Sequence, residues 1–224
     1  MGEYYNWVNV DRKEYICPAD FDYGNKRHES CHRESEVLRA LRELLSNEWK
    51  GCRVLWMGDE SPLPETVDTG IFSVLKAHCD EIGYERDIFG TICETYKNVS
   101  GFFKSTEECV KKEIGYHLAE LKRGNVDDTN EYGIDLLNFF EGLFQREGKD
   151  FRYIINRTKK ICYSFQETRI LYMNGEESDF ADPLPILLGY GKYYEPGEWL
   201  GDVIDVADEL PDGIKVLDSI TLDW

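Results

Sequence analysis

The sequence predicts an α+β fold: two β-rich halves, related by internal duplication and a pseudo-two-fold, with a helical insert between them. Three observations carry this reading. The pattern Trp49-Lys50-Gly51, an apolar run through Val54 and Trp56, then Asp59-Glu60-Ser61-Pro62, returns as Trp199-Leu200-Gly201, then Val203, Ile204 and Val206, then Asp208-Glu209-Leu210-Pro211. A second echo lies upstream of each copy, where Trp7-Val8-Asn9-Val10-Asp11-Arg12-Lys13 corresponds to Ile154-Ile155-Asn156-Arg157-Thr158-Lys159-Lys160. Between the copies the apolar spacing becomes helical. The expected organisation is a single domain over 1–224, with a first half at 1–62, the insert at 63–149 and a second half at 150–224.

Tyr4 to Val10 is rich in aromatic and β-branched residues and predicts a strand. Asp11-Arg12 turns it, and Glu14-Tyr15-Ile16-Cys17 returns as the second arm of a hairpin ending at Pro18. Residues 18–33 are polar and glycine-containing, hence a loop. From Glu34 to Trp49, Val37, Leu38, Leu41, Leu44, Leu45 and Trp49 recur at three- and four-residue spacing, which predicts a helix. Cys52 to Met57 is a short buried strand. In the insert, Ile71, Leu75, Cys79 and Ile82 form a helical stripe closed by Gly83. Ser105-Thr106-Glu107-Glu108 has the form of a capping box before another helix. That helix carries Val110, Ile114, Leu118 and Leu121 on one side, with Glu107/Lys111 and Glu108/Lys112 as i,i+4 pairs, and ends at Gly124-Asn125. Residues 125–150 predict a loop with a short helix around Leu136–Phe144. The insert is expected to cover one face of the β-rich halves. In the second half, Phe151–Asn156, Ile161–Phe165, Arg169–Met173, Val203–Ala207 and Gly213–Leu222 predict strands. Two prolines within Pro183–Leu188 leave room for one short helix.

Composition restricts the function. The formal charge is −18, which repels phosphate backbones, excludes nucleic acid as an expected partner and favours a basic protein. Seven of the acids lie in the last 24 residues: Asp202, Asp205, Asp208, Glu209, Asp212, Asp218 and Asp223. The seven cysteines are odd in number and widely spaced, with no C-x-x-C, and the N-terminus has neither a basic region nor an apolar core. Both features predict reduced thiols and a cytoplasmic location. Met1-Gly2 opens like a myristoylation signal, but Asn6 stands where that signal needs Ser or Thr. No apolar run approaches membrane-spanning length, so no membrane association is expected.

The candidate binding residues are those that recur. Asp59, Glu60, Asp208 and Glu209 follow the two short strands, and under a two-fold they would face one another, as in a cation site or an acid/base pair. The same residues also suit turns before Pro62 and Pro211. Asn9 and Asn156 suit either recognition loops or self-bonded turns. His28, Cys31 and His32, with Cys17 upstream, are zinc-capable ligands, but no second pair completes a set, so no metal is expected. Gly189-Tyr190-Gly191 follows no long strand and opens no helix, which excludes dinucleotide binding. No cofactor is expected, and no nucleophile motif such as G-x-S-x-G is present. No catalytic residue is named from the sequence.

Asn9 to Tyr15 (N-V-D-R-K-E-Y), the W-x-G…G-D-E run over 49–60 and Ile154 to Lys160 together resemble a family of uncharacterised, mostly bacterial proteins. Its second segment often reads N-H-T-K-K-E-Y; here Arg157, Ile161 and Cys162 replace the His, Glu and Tyr. The resemblance covers roughly 1–62 and 150–212. It implies the duplication and carries over no catalytic residue. Two functions are expected to compete. One is an acidic intracellular protein-binding module, of which an immunity-type neutraliser of a basic toxin domain is the concrete form. The other is a small-molecule or metal-dependent enzyme or binding protein with a pocket between the repeats.

Overall fold

The computed structural model describes residues 2–62, 70–82, 88–123 and 144–223. Strand β1 (Tyr5–Asn9) and β2 (Glu14–Ile16) form the first hairpin, with Asn9 opposite Glu14. After helix α1 (Glu36–Ser46), strand β3 (Val54–Gly58) returns antiparallel to β1, placing Trp56 opposite Trp7. Ser35 caps α1 by accepting a hydrogen bond from the Leu38 N–H, a role that suits its hydroxyl. The insert begins with α2 (Gly70–Ile82), α3 (Ile88–Thr95), the short strand β4 (Lys97–Asn98) and α4 (Glu107–Lys122).

The second hairpin pairs β5 (Tyr153–Asn156) with β6 (Ile161–Tyr163), and Asn156 lies opposite Ile161. Strand β7 (Arg169–Tyr172), one helical turn at Leu184–Leu187 and strand β8 (Gly189–Tyr190) follow. Strand β9 (Ile204–Ala207) returns antiparallel to β5. The last two strands are β10 (Lys215–Val216) and β11 (Ser219–Leu222). The sheets run β4-β2-β1-β3-β8, β10-β6-β5-β9 and β11-β7.

The two hairpins are held by the same kinds of bond. The Asn9 Oδ1 accepts from the backbone N–H of Asp11 and Arg12 at 3.1 and 3.0 Å, and the Asn156 Oδ1 accepts from that of Lys159 at 2.9 Å. Each tip closes on a lysine with positive φ, Lys13 at 53° and Lys160 at 57°. Each W-x-G segment is a tight turn in which Trp49 or Trp199 accepts from the N–H three residues on. Its glycine, Gly51 or Gly201, has φ of 74° or 84°, a region where a Cβ would be strained. The Asp11 carboxylate accepts from the Arg53 N–H at 2.7 Å, and the Thr158 hydroxyl accepts from the Val203 N–H at 3.0 Å. Arg53 and Val203 themselves meet in an antiparallel bridge, so the sheets touch where β3 and β9 begin.

Alternation along the strands divides the packing. Trp7, Ile16 and Trp56 point into a central core with Leu38, Leu41, Leu45 and Trp49 from the α1 region and Ile154, Tyr163, Ile204 and Val206 from the second sheet. Val8, Val10, Leu55 and Met57 point the other way, onto Ile71, Phe72 and Leu75 of α2 and Ile88 and Ile92 of α3. The insert thus covers the outer face of the first sheet. Across the described residues, no helix is long and apolar enough to cross a membrane.

Three expectations change. Helix α3 is additional, because its apolar residues occupy little more than two turns. The strand expected over Gly213–Leu222 is two, β10 on β6 and β11 on β7, because the chain changes sheet at Leu217-Asp218. Lys111 pairs with Glu107 as its spacing suggests, whereas Lys112 reaches Asp22 instead of Glu108. Gly83, Gly124-Asn125 and all of the expected 136–144 helix except Phe144 lie outside the described residues.

Candidate functional site

The recurring carboxylates do not come together. Strands β3 and β9 leave the Arg53–Val203 bridge in opposite directions. At about 3.3 Å per residue, Asp59 and Asp208 end on the order of 30 Å apart. Asp59 accepts from the Tyr4 N–H at 3.0 Å, and its own N–H donates to the Tyr4 carbonyl at 2.8 Å. Glu60 accepts from Lys192 Nζ at 2.7 Å and from the Tyr193 hydroxyl at 2.9 Å. Those bonds hold its carboxyl below the usual range. Asp208 and Glu209 lie exposed in the loop after β9. Asn9 and Asn156 are fully buried and serve the hairpin turns.

The acid distribution is uneven. In the first half Asp11 pairs with Arg53, Glu14 with Arg12, Glu48 with Arg146 and Glu60 with Lys192. In the second half Asp202 pairs with Lys159 and Asp205 with Arg157. After β9, Asp208, Glu209, Asp212 and Asp218 are exposed and, among the described residues, carry no ion pair; the same holds earlier in this half for Glu176, Glu177, Asp179, Glu195 and Glu198. Leu210, 43% exposed, sits in sequence among the four acids after β9.

A buried ionic network lies deeper. Arg42 on α1, 1% exposed, donates to Asp182 at 2.6 Å, to Asp150 at 2.6 Å and to the Arg33 carbonyl at 2.9 Å. Asp182 also accepts from the Tyr163 hydroxyl at 2.5 Å and the Leu184 N–H at 2.9 Å. Burial, reinforced by the Asp182 charge, pushes the Tyr163 hydroxyl well up. Each side chain here bonds another member of the network, although the Arg42 Nε is buried without an acceptor, and the arrangement fits a clamp between α1, β6 and the Leu184–Leu187 turn.

Three cavities of about 500, 310 and 10 Å³ meet at Arg27, in the polar loop before α1. Arg27 is 7% exposed; its Nη2 donates to the Asp223 carbonyl at 2.7 Å, and its guanidinium lies 3.6 Å over the Tyr194 ring. Its Nη1 is buried with no acceptor. Sequence reasoning missed this residue: an arginine between lysine and histidine in a polar loop carries no sign of burial.

Burial shifts the thiols of Cys17, Cys31, Cys109 and Cys162 upward. Burial pushes Cys17 up to about 12 and Cys162 up to about 11, whereas nucleophilic thiols are shifted downward. The Cys31 thiol is buried against the Arg27 carbonyl, and His32 stacks on Phe180. Among the described residues no group of three or more His, Cys, Asp or Glu side chains is arranged to hold a metal ion.

No family model, curated protein or solved structure matches this chain. The functional reading therefore rests on its own geometry.

Proposed function

We propose that this chain is a protein-binding module whose C-terminal acidic edge receives a basic protein, with neutralisation of a basic toxin domain as the concrete form. The observation that carries the reading is the run of exposed, unpaired acids that follows β9 with a single lysine, Lys215, among them. Asp202 and Asp205 are matched by Lys159 and Arg157, whereas Asp208, Glu209, Asp212 and Asp218, with the exposed Leu210 among them in sequence, carry no ion pair among the described residues. Unpaired charge of one sign steers an oppositely charged partner, and an apolar contact at its centre slows dissociation. Cys17, Cys31, Cys52, Cys93, Cys109 and Cys162 have free thiols, which suits a reducing compartment. The matched hairpins, matched W-x-G turns and the bridge between Arg53 and Val203 support reading the halves as copies about a local two-fold. On that reading the second copy has exchanged a paired loop for an acidic one.

The test is affinity capture of basic proteins, followed by direct titration of the purified captured protein. The wild type is compared with Asp208→Asn/Glu209→Gln/Asp212→Asn/Asp218→Asn and, as a control, with Asp59→Asn/Glu60→Gln. A saturable complex weakened at least tenfold by the first variant and not by the second is expected. Equal affinity for all three proteins rejects the acidic edge as the binding face.

A further inference from the structure

We propose that the cavity at Arg27 binds a small organic anion, its acid group received by the Arg27 guanidinium and its ring packed on Tyr193 and Tyr194. A guanidinium taken out of water is stable only when its charge is matched and its N–H groups find acceptors. Arg27 has one neutral acceptor, the Asp223 carbonyl, and an aromatic face; among the described residues no carboxylate lies within ion-pair distance. Stacking on Tyr194 compensates part of the charge but supplies no acceptor for Nη1.

The walls define the ligand. The 310 Å³ cavity groups Lys26, Arg27 and His28 with Tyr5, Tyr193 and Tyr194. The acid on that wall, Glu3, is occupied by the Tyr5 hydroxyl at 2.7 Å and the Lys192 N–H at 2.9 Å. On this wall of a chain with formal charge −18, Lys26 and Arg27 outnumber the one acid, Glu3. The larger cavity on the other side bears Glu195, Glu198 and Asp223, so the acid group belongs on the Lys26 side. The 10 Å³ chamber, which shares lining residues with both, is lined by Arg27 and Trp56, with Glu195 on the side of the larger cavity, and the Trp56 Nε1 also lacks an acceptor. That chamber is the size of one water or one ligand oxygen. Tyr193 and Tyr194 are 60% and 40% exposed and form the outer wall, where a planar ring finds a stacking surface.

The probes are benzoate, phenyl phosphate, inorganic phosphate and the neutral benzyl alcohol, followed by ligand-observed NMR and calorimetry on the full chain. Benzoate or phenyl phosphate is expected to bind saturably below about 10 mM, and the stronger of the two identifies the acid group as carboxylate or phosphate. Arg27→Lys keeps the charge but loses the planar fork, and is expected to weaken binding about tenfold. Because Arg27 is buried, Tyr194→Ala serves as a second variant that leaves the guanidinium in place, with a several-fold loss expected. No saturable binding by either ring-bearing anion overturns the proposal. So does binding of benzyl alcohol as tight as benzoate, or equal binding by wild type and both variants, which would leave water as the occupant of the chamber.

Discussion

At the residue scale, the informative positions are those where the two halves differ against a shared pattern. Asn156 Nδ2 donates to Asp202 at 2.7 Å, whereas Asn9 Nδ2 is buried without an acceptor. The residue following the first W-x-G glycine is Cys52; the one following the second is Asp202. Cys52→Asp is expected to supply the missing acceptor, beside Arg12 and Arg53, and to raise unfolding stability by about 1 kcal/mol in urea titrations. A loss of stability would show that the two sites are not equivalent. Arg42 and Asp182 define a second expectation. Asp182→Ala strands a buried guanidinium and should cost about 3–5 kcal/mol, whereas Arg42→Met/Asp182→Leu should cost clearly less. Equal losses would mean that the pair acts through shape alone. Asn9 and Asn156 were legible in the sequence because a short amide beside a turn signals its own backbone bond. Arg42 was not singled out in the sequence, although it falls at the spacing of Leu38 and Leu45 on a buried stripe, a signal that could have found it. Arg27 was not legible, because its burial depends on Asp223 and Tyr194, which are distant in sequence.

At the element scale, hairpins and α1 follow from local chemistry: period-two apolar residues, an Asn-initiated turn, a serine cap. The division of the C-terminal strand does not, because Ile214, Val216, Ile220 and Leu222 alternate as one strand would, and only the positions of β6 and β7 separate them. Charge spacing along α4 was equally underdetermined: Lys112 has a local and a distant carboxylate in reach, and the fold selects Asp22. The segment after α1 is tied to the last residues of the insert by Arg146, which grips both oxygens of Glu48. Those hydrogen bonds hold the Glu48 carboxyl below its ordinary value of 4.5. A carboxyl depressed in the folded state contributes stability above its unfolded value and loses it as pH falls through the folded value. Glu48→Gln is therefore expected to lower stability at pH 7 and to make its decline below about pH 4.5 shallower. Parallel curves for variant and wild type, in denaturation measured across pH 3–7, would contradict the assignment.

At the scale of the whole molecule, the two larger sheets meet at the Arg53–Val203 bridge, α1 fills the core between them, and α2 and α3 cover the outer face of the first. The carboxylates after β3 and β9 are thereby sent to opposite ends. One partner reading survives that geometry with a specific surface: the unpaired acids after β9. The direct measurement is the association rate of the captured basic protein with the wild type and the Asp208/Glu209/Asp212/Asp218 amide variant across ionic strength. Steering between opposite charges gives a wild-type rate that falls steeply with salt, and a variant rate that is lower and much flatter. Rates that coincide for the two proteins and ignore salt would contradict an acidic edge as the docking face.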